Sequence, residues 1–292
     1  THASDVAVMR RLGPVGTGVV RRVTRRAAAV TAVSRQTAAK LLAFFDGTER
    51  EALERAIAVA PMGIDAQPDD QPNAHPDNPA ARAGSHHTVA VIARLVEKKG
   101  IHVLLEAWPD VLATVPDARL LIGGDGPWRE RLERQASGLA GVEFHGYVTG
   151  PAKVALEAQA TLVAVPSVVA ADGDSDGLPV AALEAWGRGA FVVASDASGA
   201  HELLEGAGIG EGTGVDSGAA PDPRSAAGVV VPAGDAAALA SAIIDAMTRG
   251  EPARRRSAAA GRALAHSLTW QALAPAMLER LRAAARVGGW RP

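Results

Sequence analysis

Short apolar runs alternate with longer amphipathic segments along most of this 292-residue chain. Runs rich in Val, Ile, Leu and Ala predict six strands, at residues 88–93, 118–122, 142–144, 161–165, 191–194 and 228–231. The segments between and after them predict helices at residues 100–114, 128–136, 151–158, 179–186, 201–205 and 236–248. Apolar strands separated by helices are typical of a parallel sheet covered on both faces. The pattern therefore predicts a doubly wound, Rossmann-like α/β domain, in which ligands bind beyond the carboxyl ends of the strands.

The first 66 residues carry a shorter version of the same pattern. Residues 27–34 predict a strand, residues 35–45 a helix and residues 57–61 a second strand, which is about one and a half βα units. Residues 1–5 read as the end of a strand entering a loop. We interpret residues 1–66 as part of a first Rossmann-like domain, and we expect the front of that domain to be missing from the sequence.

Two segments contain little that a core could bury. Residues 67–87 contain four prolines among Asp, Asn, Gln, Gly and His, which is typical of a linker or exposed loop. Residues 210–227, rich in Gly, Ser, Asp and Pro, predict an inserted surface loop. The predicted organisation is a first domain at 1–66, a linker at 67–87, a second domain at 88–268 and a final helix at 269–292, with residues 251–286 adding helices after the last strand.

The composition excludes several classes of protein. Hydrophobic residues make up 48 % of the chain and charged residues 21 %, as in folded globular proteins. The 30 basic and 32 acidic side chains give a formal charge of -2, so no overall field attracts nucleic acid, and no nucleic-acid partner is expected. The chain has no cysteine, no apolar run long enough for a membrane span and no signal-peptide pattern, so we expect a cytoplasmic protein without disulfides.

The segment from Asp172 to Glu184 begins like a calcium-binding loop, because alternating acids end in a glycine. The later positions of the segment do not match the twelve-residue spacing of such a loop. The twelfth residue, where a bidentate Glu belongs, is Leu183, and Glu184 falls one place late. None of the eight histidines forms a metal-binding pair at helical spacing, so the sequence predicts no metal site.

A second interpretation treats Pro179 as the first residue of a helix whose N-terminus faces a ligand cleft. Gly177 would then let a ligand approach the backbone closely. Glu184 could accept hydrogen bonds from a ribose diol, and Asp176 from the hydroxyls of a sugar. From residue types alone, an acidic solvated loop with a glutamate on the helix surface explains the segment equally well.

Cations follow the first strand of the second domain. Arg94 comes directly after the strand, and Lys98 and Lys99 begin the next helical segment at Gly100. Cations at the carboxyl edge of a sheet could neutralise a diphosphate leaving group where no metal does so. The alternative is a surface arginine beside a solvated lysine pair.

A basic segment precedes all of these features. It carries Arg10, Arg11, Arg21, Arg22, Arg25 and Arg26 beside valines and predicts a basic amphipathic surface helix. Such a helix could contact anionic lipid as a peripheral membrane element. A solvated helix face is the more usual explanation.

Seven segments, in order along nearly the whole chain, resemble the retaining family 4 glycosyltransferases of the GT-B fold, in which two Rossmann-like domains face each other across a cleft. The segments are residues 1–5, 33–34, 59–65, 93–100, 122–127, 144–148 and 166–185. The loop from Ser167 to Pro179 is most like that of bacterial exopolysaccharide and colanic-acid-type enzymes. Trp270 also fits the family, whose final helix crosses back to the first domain.

The resemblance implies a role for each matched residue. Arg94 and Lys99 would bind the donor diphosphate, and Glu184 would bind the ribose. Asp176 would be catalytic and, with Gly177 and Leu178, would contact the transferred sugar, although the family usually has the longer Glu at position 176. Backbone at Tyr147, Val148 and Thr149 would contact the nucleobase. His2 matches a catalytic histidine, but Ala3 replaces the glycine that normally follows it.

The resemblance also implies a reaction, the transfer of a hexose with retention from a UDP- or GDP-sugar to a saccharide or lipid-linked acceptor. Exopolysaccharide or cell-envelope glycan synthesis is the expected setting, at the inner face of the membrane if the basic segment binds lipid. The nucleotide-sugar is a substrate, so no cofactor and no metal are implied. Two alternatives are a catalytically inactive nucleotide-sugar-binding module and a GT-B nucleotide-sugar epimerase.

Overall fold

The computed structural model describes residues 3–65, 87–206 and 226–287. Within these residues the strands form one parallel sheet of two strands and one of six. The linker predicted at 67–87 and the loop predicted at 210–227 lie almost entirely outside the described residues, so the domain boundaries stay predictions.

The small sheet is made by the N-terminal segment, residues 3–65. Its elements are α1 (Ala3–Arg11), α2 (Gly13–Arg26), β1 (Val30–Ala32), α3 (Arg35–Leu42), α4 (Gly47–Ala56) and β2 (Ile57–Val59). Strands β1 and β2 pair in parallel, with Val30 opposite Ile57. Apolar side chains of α1, α3 and α4 meet in one core cluster, formed by Val6, Leu41, Leu42, Phe44, Phe45 and Leu53.

Two sequence predictions for this segment are wrong. Residues 3–5, predicted as a strand end and loop, begin helix α1. Helix α1 buries Val6 to 3 % exposure in the core cluster. This packing favours a helix, whereas the sequence of residues 1–5 alone is too short and polar to distinguish a helix from a loop. The single basic helix predicted over residues 10–26 is instead the end of α1 followed by α2. Gly13, at the junction, adopts a left-handed φ of 55°.

The large sheet contains all six predicted strands, within two residues of their predicted bounds. They are β3 (Thr88–Ile92), β4 (Arg119–Gly123), β5 (Val142–Gly146), β6 (Leu162–Val165), β7 (Phe191–Ser195) and β8 (Gly228–Val231). Their order is β5-β4-β3-β6-β7-β8, and every neighbouring pair is parallel. The chain therefore winds outwards in both directions from β3 and β6, which confirms the predicted doubly wound fold.

The predicted helices are also present, each within one residue of its predicted bounds. In chain order they are α5 (Ile101–Thr114), α6 (Arg129–Gln135), α7 (Gly150–Glu157), α8 (Val180–Gly187), α9 (Ala200–Leu204) and α10 (Ala236–Thr248). Two longer helices follow, α11 (Glu251–Ser267) and α12 (Trp270–Val287). Pro179, predicted to be the first residue of α8, precedes the helix as its N-cap in an extended conformation.

Alternate residues along each strand pack on opposite faces of the large sheet, as the two-residue period of a strand requires. Val89 and Val91 belong to the core layer that includes α5 and α10, and Ala90 belongs to the layer that includes α8 and α11. Each layer buries one tryptophan completely. Trp108 Nε1 donates to the carbonyl of Ala140 at 3.0 Å, and Trp186 Nε1 donates to the carbonyl of Ala227 at 3.2 Å.

Helix α12 begins against the N-terminal segment. The Trp270 N–H donates to the carbonyl of Ile64 at 3.0 Å, and Ile64 forms a parallel bridge with Thr269. A Cβ on Gly63 would lie 2.5 Å from the Trp270 indole, so glycine is needed beneath this ring. The chain after the large sheet thus returns to the residues that precede it.

Candidate functional site

A cleft of about 320 Å³ opens at the carboxyl ends of β3 and β6. The order of the strands reverses between these two neighbours, and this is where doubly wound α/β proteins bind ligands. The start of α8, at Pro179, Val180 and Ala181, lines one part of the cleft. Polar side chains also line it, from Lys99, Lys153, Ser167, Asp176 and Glu184.

Lys99 and Asp176 form an ion pair in the cleft. Lys99 Nζ lies 2.5 Å from Asp176 Oδ2, and the two side chains are 19 % and 11 % exposed. Ser167 Oγ donates to the same carboxylate oxygen at 3.3 Å. Lys99 ends a 3₁₀ turn, and Gly100 follows it with a φ of 64°. A Cβ on Gly100 would overlap the carbonyl of Pro166, so the turn packs directly on the chain that leaves β6.

The acidic loop, residues 172–176, contacts cations from separate parts of the chain. Asp172 contacts Arg11 at the end of α1, and Asp174 Oδ2 lies 2.8 Å from Lys98 Nζ. The backbone N–H of Asp174, with a smaller effect of Arg11, holds the pKa of Asp172 below its ordinary value. Three carboxylates that each contact a different cation are not arranged to share one metal ion, which argues against the calcium interpretation.

Helix α3 of the N-terminal segment packs against this loop. Ser175 Oγ donates to Gln36 Oε1 at 3.3 Å, and Ser175 also contacts the ammonium group of Lys40. Burial lowers the pKa of Lys40, although the nearby Asp174 carboxylate opposes this shift. The acidic loop therefore contacts the N-terminal segment through Asp172 and Ser175, and the cleft through Asp176.

Glu202, on α9, fixes the N-terminus of α3. The Glu202 carboxylate is buried, and it accepts the backbone N–H groups of Arg35 at 2.6 Å and Gln36 at 2.7 Å. These are the first two residues of α3, whose N–H groups have no partner inside the helix. Ser34 Oγ accepts the N–H of Thr37 at 3.1 Å and completes the cap.

A second group of charges surrounds Glu184. Lys153 Nζ, on α7, lies 2.5 Å from Glu184 Oε2 and 3.8 Å from Glu157 Oε1. Arg188 Nη1 lies 2.6 Å from the other oxygen of Glu157. Burial raises the pKa of Glu157, although both cations oppose the shift. The cleft thus ends in alternating acids and bases, with Glu184 and Lys153 facing the open space.

The structure brings together four of the residues predicted for the donor site. Lys99, Asp176, Leu178 and Glu184 line the cleft, and Gly177 lies in the chain between Asp176 and Leu178. Their roles in binding stay predictions.

The other predicted residues are not among the described residues that line the cleft. Arg94 is exposed and is not among the described residues that line the cleft. Tyr147, Val148 and Thr149 connect β5 to α7, and Tyr147 is 79 % exposed. His2 lies outside the described residues.

The sequence analysis missed four residues that complete this region, namely Lys40, Lys153, Ser167 and Glu202. Lys153 and Glu157 are four residues apart in a predicted helix that follows the proposed nucleobase segment, and this spacing was the available signal. The partners of Lys40 and Glu202 are 135 and 167 residues away in sequence, and no local pattern reveals such pairs.

The described ranges contain neither a candidate membrane-spanning helix nor a candidate metal cluster. No helix there is both long enough and apolar enough to cross a membrane. No cluster of three or more His, Asp or Glu side chains in the same ranges could hold a metal ion.

The fold is that of GT-B glycosyltransferases. The structure of Anabaena HepE, crystallised with UDP and glucose, superposes with a TM-score of 0.66 and 21 % sequence identity, covering 92 % of this chain and 67 % of that one. Residues 86–249 match the family "Glycosyl transferases group 1". This match covers more than half of the chain, so the chain belongs to that family.

Two relatives illustrate the sequence similarity. The "GDP-mannose-dependent alpha-(1-6)-phosphatidylinositol monomannoside mannosyltransferase" of Mycolicibacterium smegmatis is 35 % identical over 232 residues, which are 74 % of this chain and 57 % of that protein. The "Putative colanic acid biosynthesis glycosyltransferase WcaL" of Escherichia coli is 35 % identical over 152 residues, which are 51 % of this chain and 36 % of that protein. The chain thus spans about half the length, or less, of these relatives.

Proposed function

We propose that this chain belongs to an enzyme that transfers a hexose from a UDP- or GDP-sugar to a saccharide or lipid-linked acceptor, with retention at the anomeric carbon. The observation that carries the proposal is the joint position of Lys99, Asp176 and Glu184 in a cleft at the switch point of a doubly wound sheet. Membership of the glycosyltransferase family supports it. GDP-mannose is the first donor to test, because the M. smegmatis relative is named for it.

Each polar side chain of the cleft has a proposed role. Lys99, with Arg94 at the rim, neutralises the donor diphosphate, and Glu184 accepts hydrogen bonds from the ribose diol. Asp176 accepts hydrogen bonds from the hydroxyl groups of the transferred hexose, next to Gly177 and Leu178. Backbone at residues 147–149 contacts the nucleobase, and His2 has the catalytic role that the family resemblance implies.

The proposed reaction proceeds by front-side attack. An acceptor hydroxyl oxygen bonds to the anomeric carbon while the bond from that carbon to the diphosphate oxygen breaks. The leaving diphosphate takes the acceptor proton, so no covalent nucleophile on the protein is needed. Lys99 stabilises the negative charge that develops on the diphosphate as the bond breaks.

The acceptor and the setting are proposed from the relatives and from the surface of the N-terminal helices. Val15, Val19 and Val23 are exposed at spacings of four residues, so they follow one side of α2. Val8 in α1 and Leu12 directly after it are also exposed. Five arginines, Arg10, Arg11, Arg22, Arg25 and Arg26, are exposed on the same two helices. We propose peripheral contact of this surface with anionic lipid, in exopolysaccharide or cell-envelope glycan synthesis.

The function is tested by titrating the chain with GDP-mannose and UDP-glucose in a calorimeter, and by measuring hexose transfer from the bound donor to phosphatidylinositol monomannoside and to saccharide acceptors. Lys99→Met and Glu184→Gln should each weaken donor binding about 10- to 100-fold, since each removes a hydrogen bond to a charged group. Lys98→Met is the matched control, because Lys98 contacts Asp174 and is not among the described residues lining the cleft. Unchanged binding by both cleft variants would refute the proposed site.

A further control separates binding from stability. Lys99→Met leaves the Asp176 carboxylate in the cleft without its cation, and removing one member of a buried ion pair is strongly destabilising. The double variant Lys99→Met/Asp176→Asn removes both charges, so it should recover stability without recovering donor binding. Donor binding without any transfer would favour the inactive module, and an epimerised nucleotide-sugar would favour the epimerase.

A further inference from the structure

Lys153 is the second lysine of the cleft, and the proposed function assigns it no role. It lies on α7, which follows the segment proposed to contact the nucleobase. Its Nζ is 2.5 Å from Glu184 Oε2, and the two side chains are 24 % and 21 % exposed. Lys153 therefore reaches Glu184 from the helix that follows the proposed nucleobase segment, and both side chains line the cleft.

The neighbours of Lys153 direct it towards Glu184. Glu157 is one helical turn away, but its nearest oxygen is 3.8 Å from Lys153 Nζ, a much longer distance than that to Glu184. Arg188 already contacts Glu157 at 2.6 Å. Arg188 thus supplies the close cation for Glu157, and this leaves the Lys153 ammonium to donate to Glu184.

The contact also restrains Glu184. A glutamate side chain on a helix has several rotamers, and an ammonium group at 2.5 Å favours those that keep the carboxylate towards the cleft. A carboxylate oxygen has two lone pairs, so Glu184 Oε2 can accept from Lys153 and from a hydroxyl at once. The fixed carboxylate can therefore present both oxygens to two adjacent hydroxyls.

We propose that Lys153 is a positioning residue that makes the site selective for ribonucleotides, by holding the Glu184 carboxylate against the 2′,3′-diol of the nucleotide ribose. This inference rests on the proposed function, because it takes Glu184 as the group that binds the ribose. It adds that the discrimination between ribose and deoxyribose depends on a residue that need not touch the sugar itself.

The test compares ribo- and deoxyribonucleotide binding by calorimetry. The probes are GDP with 2′-deoxy-GDP and UDP with 2′-deoxy-UDP, titrated into the full chain. The wild type should bind the ribonucleotide of its preferred pair at least about 10-fold more tightly, the ratio expected for one hydrogen bond to a charged group. Lys153→Met should reduce this ratio to about 3 or less by weakening mainly the ribonucleotide, and Lys153→Arg should restore part of it.

Controls distinguish a lysine that positions Glu184 from a lysine that only attracts the diphosphate. A lysine that acts only through its charge on the diphosphate would weaken both nucleotides equally and leave the ratio unchanged. Glu184→Gln should lower the ratio by itself, and adding Lys153→Met to it should lower the ratio no further, since the two residues act as one unit. Lys98→Met should keep the wild-type ratio. Lys153→Gln, with thermal melting as a check of folding, replaces the methionine variant if that variant does not fold.

The outcomes distinguish the inference from the function on which it rests. If the wild type binds none of the four nucleotides, the proposed function itself fails. If the wild type binds ribo- and deoxyribonucleotides equally, or if Lys153→Met keeps the full wild-type ratio, the role of Lys153 is refuted while the donor site stands.

Discussion

The contact between Glu202 and α3 allows a stability prediction with a clear physical basis. The substitution Glu202→Ala removes a buried carboxylate that accepts the N–H groups of Arg35 and Gln36. These groups belong to the first turn of α3, where the positive end of the helix dipole also favours a negative charge. The change leaves both N–H groups without their acceptor, while Ser34 keeps its own bond to Thr37.

The expected cost is about 3 kcal/mol of unfolding free energy, because each of the two hydrogen bonds to a charged acceptor contributes about 1.5 kcal/mol at the lower end of the usual range. The lower end applies since the two N–H groups are only partly buried, so that water can replace some of the lost interaction. Glu202→Gln should cost about half as much, because its amide carbonyl can accept one N–H while its NH₂ group cannot accept the other.

The measurement is urea unfolding followed by circular dichroism and tryptophan fluorescence. Glu205→Ala is the matched control, since Glu205 is an exposed glutamate next to the C-terminal end of α9. We expect it to change the unfolding free energy by about 0.5 kcal/mol or less. If Glu202→Ala and Glu205→Ala unfold at the same urea concentration with the same slope, the carboxylate does not stabilise α3, and the reasoning is wrong.

Two further predictions concern the cleft and its surroundings. Gly100→Ala should destabilise the protein by more than about 2 kcal/mol in urea unfolding, because its Cβ meets the carbonyl of Pro166. Gly47→Ala, at a left-handed glycine with open space, should cost only about 1 kcal/mol. Burial raises the pKa of Glu157 in the folded state. The protonated side chain therefore stabilises the fold below its unfolded-state pKa of about 4.3, and this contribution to the free energy of unfolding is lost as the pH rises through the folded-state pKa. As the pH increases towards about 7, the free energy of unfolding of Glu157→Gln should therefore rise relative to that of the wild type. A difference between the two proteins that stays the same at every pH would contradict this prediction.

The sequence predicted the large sheet well because most of its strands are buried on both faces. A strand covered on both sides appears as a continuous apolar run, and four of the six runs are followed by a residue that marks the boundary, namely Arg94, Gly123, Pro166 and Pro232. Residues 228–231 were predicted at their observed bounds, and residues 191–194 are extended only by Ser195. The same patterning placed Lys99 and Asp176 at one edge of the sheet, where the structure pairs them.

The N-terminal segment was harder to predict because contacts distant in sequence determine it. Ser4 and Asp5 are common at helix starts, but the nine residues of α1 are too few to show a clear apolar period. The helix forms with Val6 packed on side chains of α3 and α4. Helix α4 (Gly47–Ala56) was not predicted at all. Only Leu53 of this mostly polar helix is buried, so its apolar period is too weak to detect.

Side-chain partners were not predictable for the same reason. Lys153 and Glu184 are 31 residues apart, and they meet only because α7 and α8 follow the strands β5 and β6 to the same edge of the sheet. Sequence reasoning could place each residue on its own element. It could not identify which lysine of the cleft contacts which carboxylate, and this assignment is what the inference about Lys153 requires.

The acidic loop connects the cleft with the N-terminal segment, and this has a consequence for the proposed reaction. Asp176 contacts Lys99 in the cleft, while its neighbour Ser175 contacts Lys40 on α3. A donor diphosphate carries more negative charge than one carboxylate and would attract Lys99 away from Asp176. Asp176 would then be free to accept a sugar hydroxyl, so donor binding itself would prepare the acid for the hexose. Because Ser175 also contacts Gln36 and Lys40 of α3, the same rearrangement would reach the N-terminal segment.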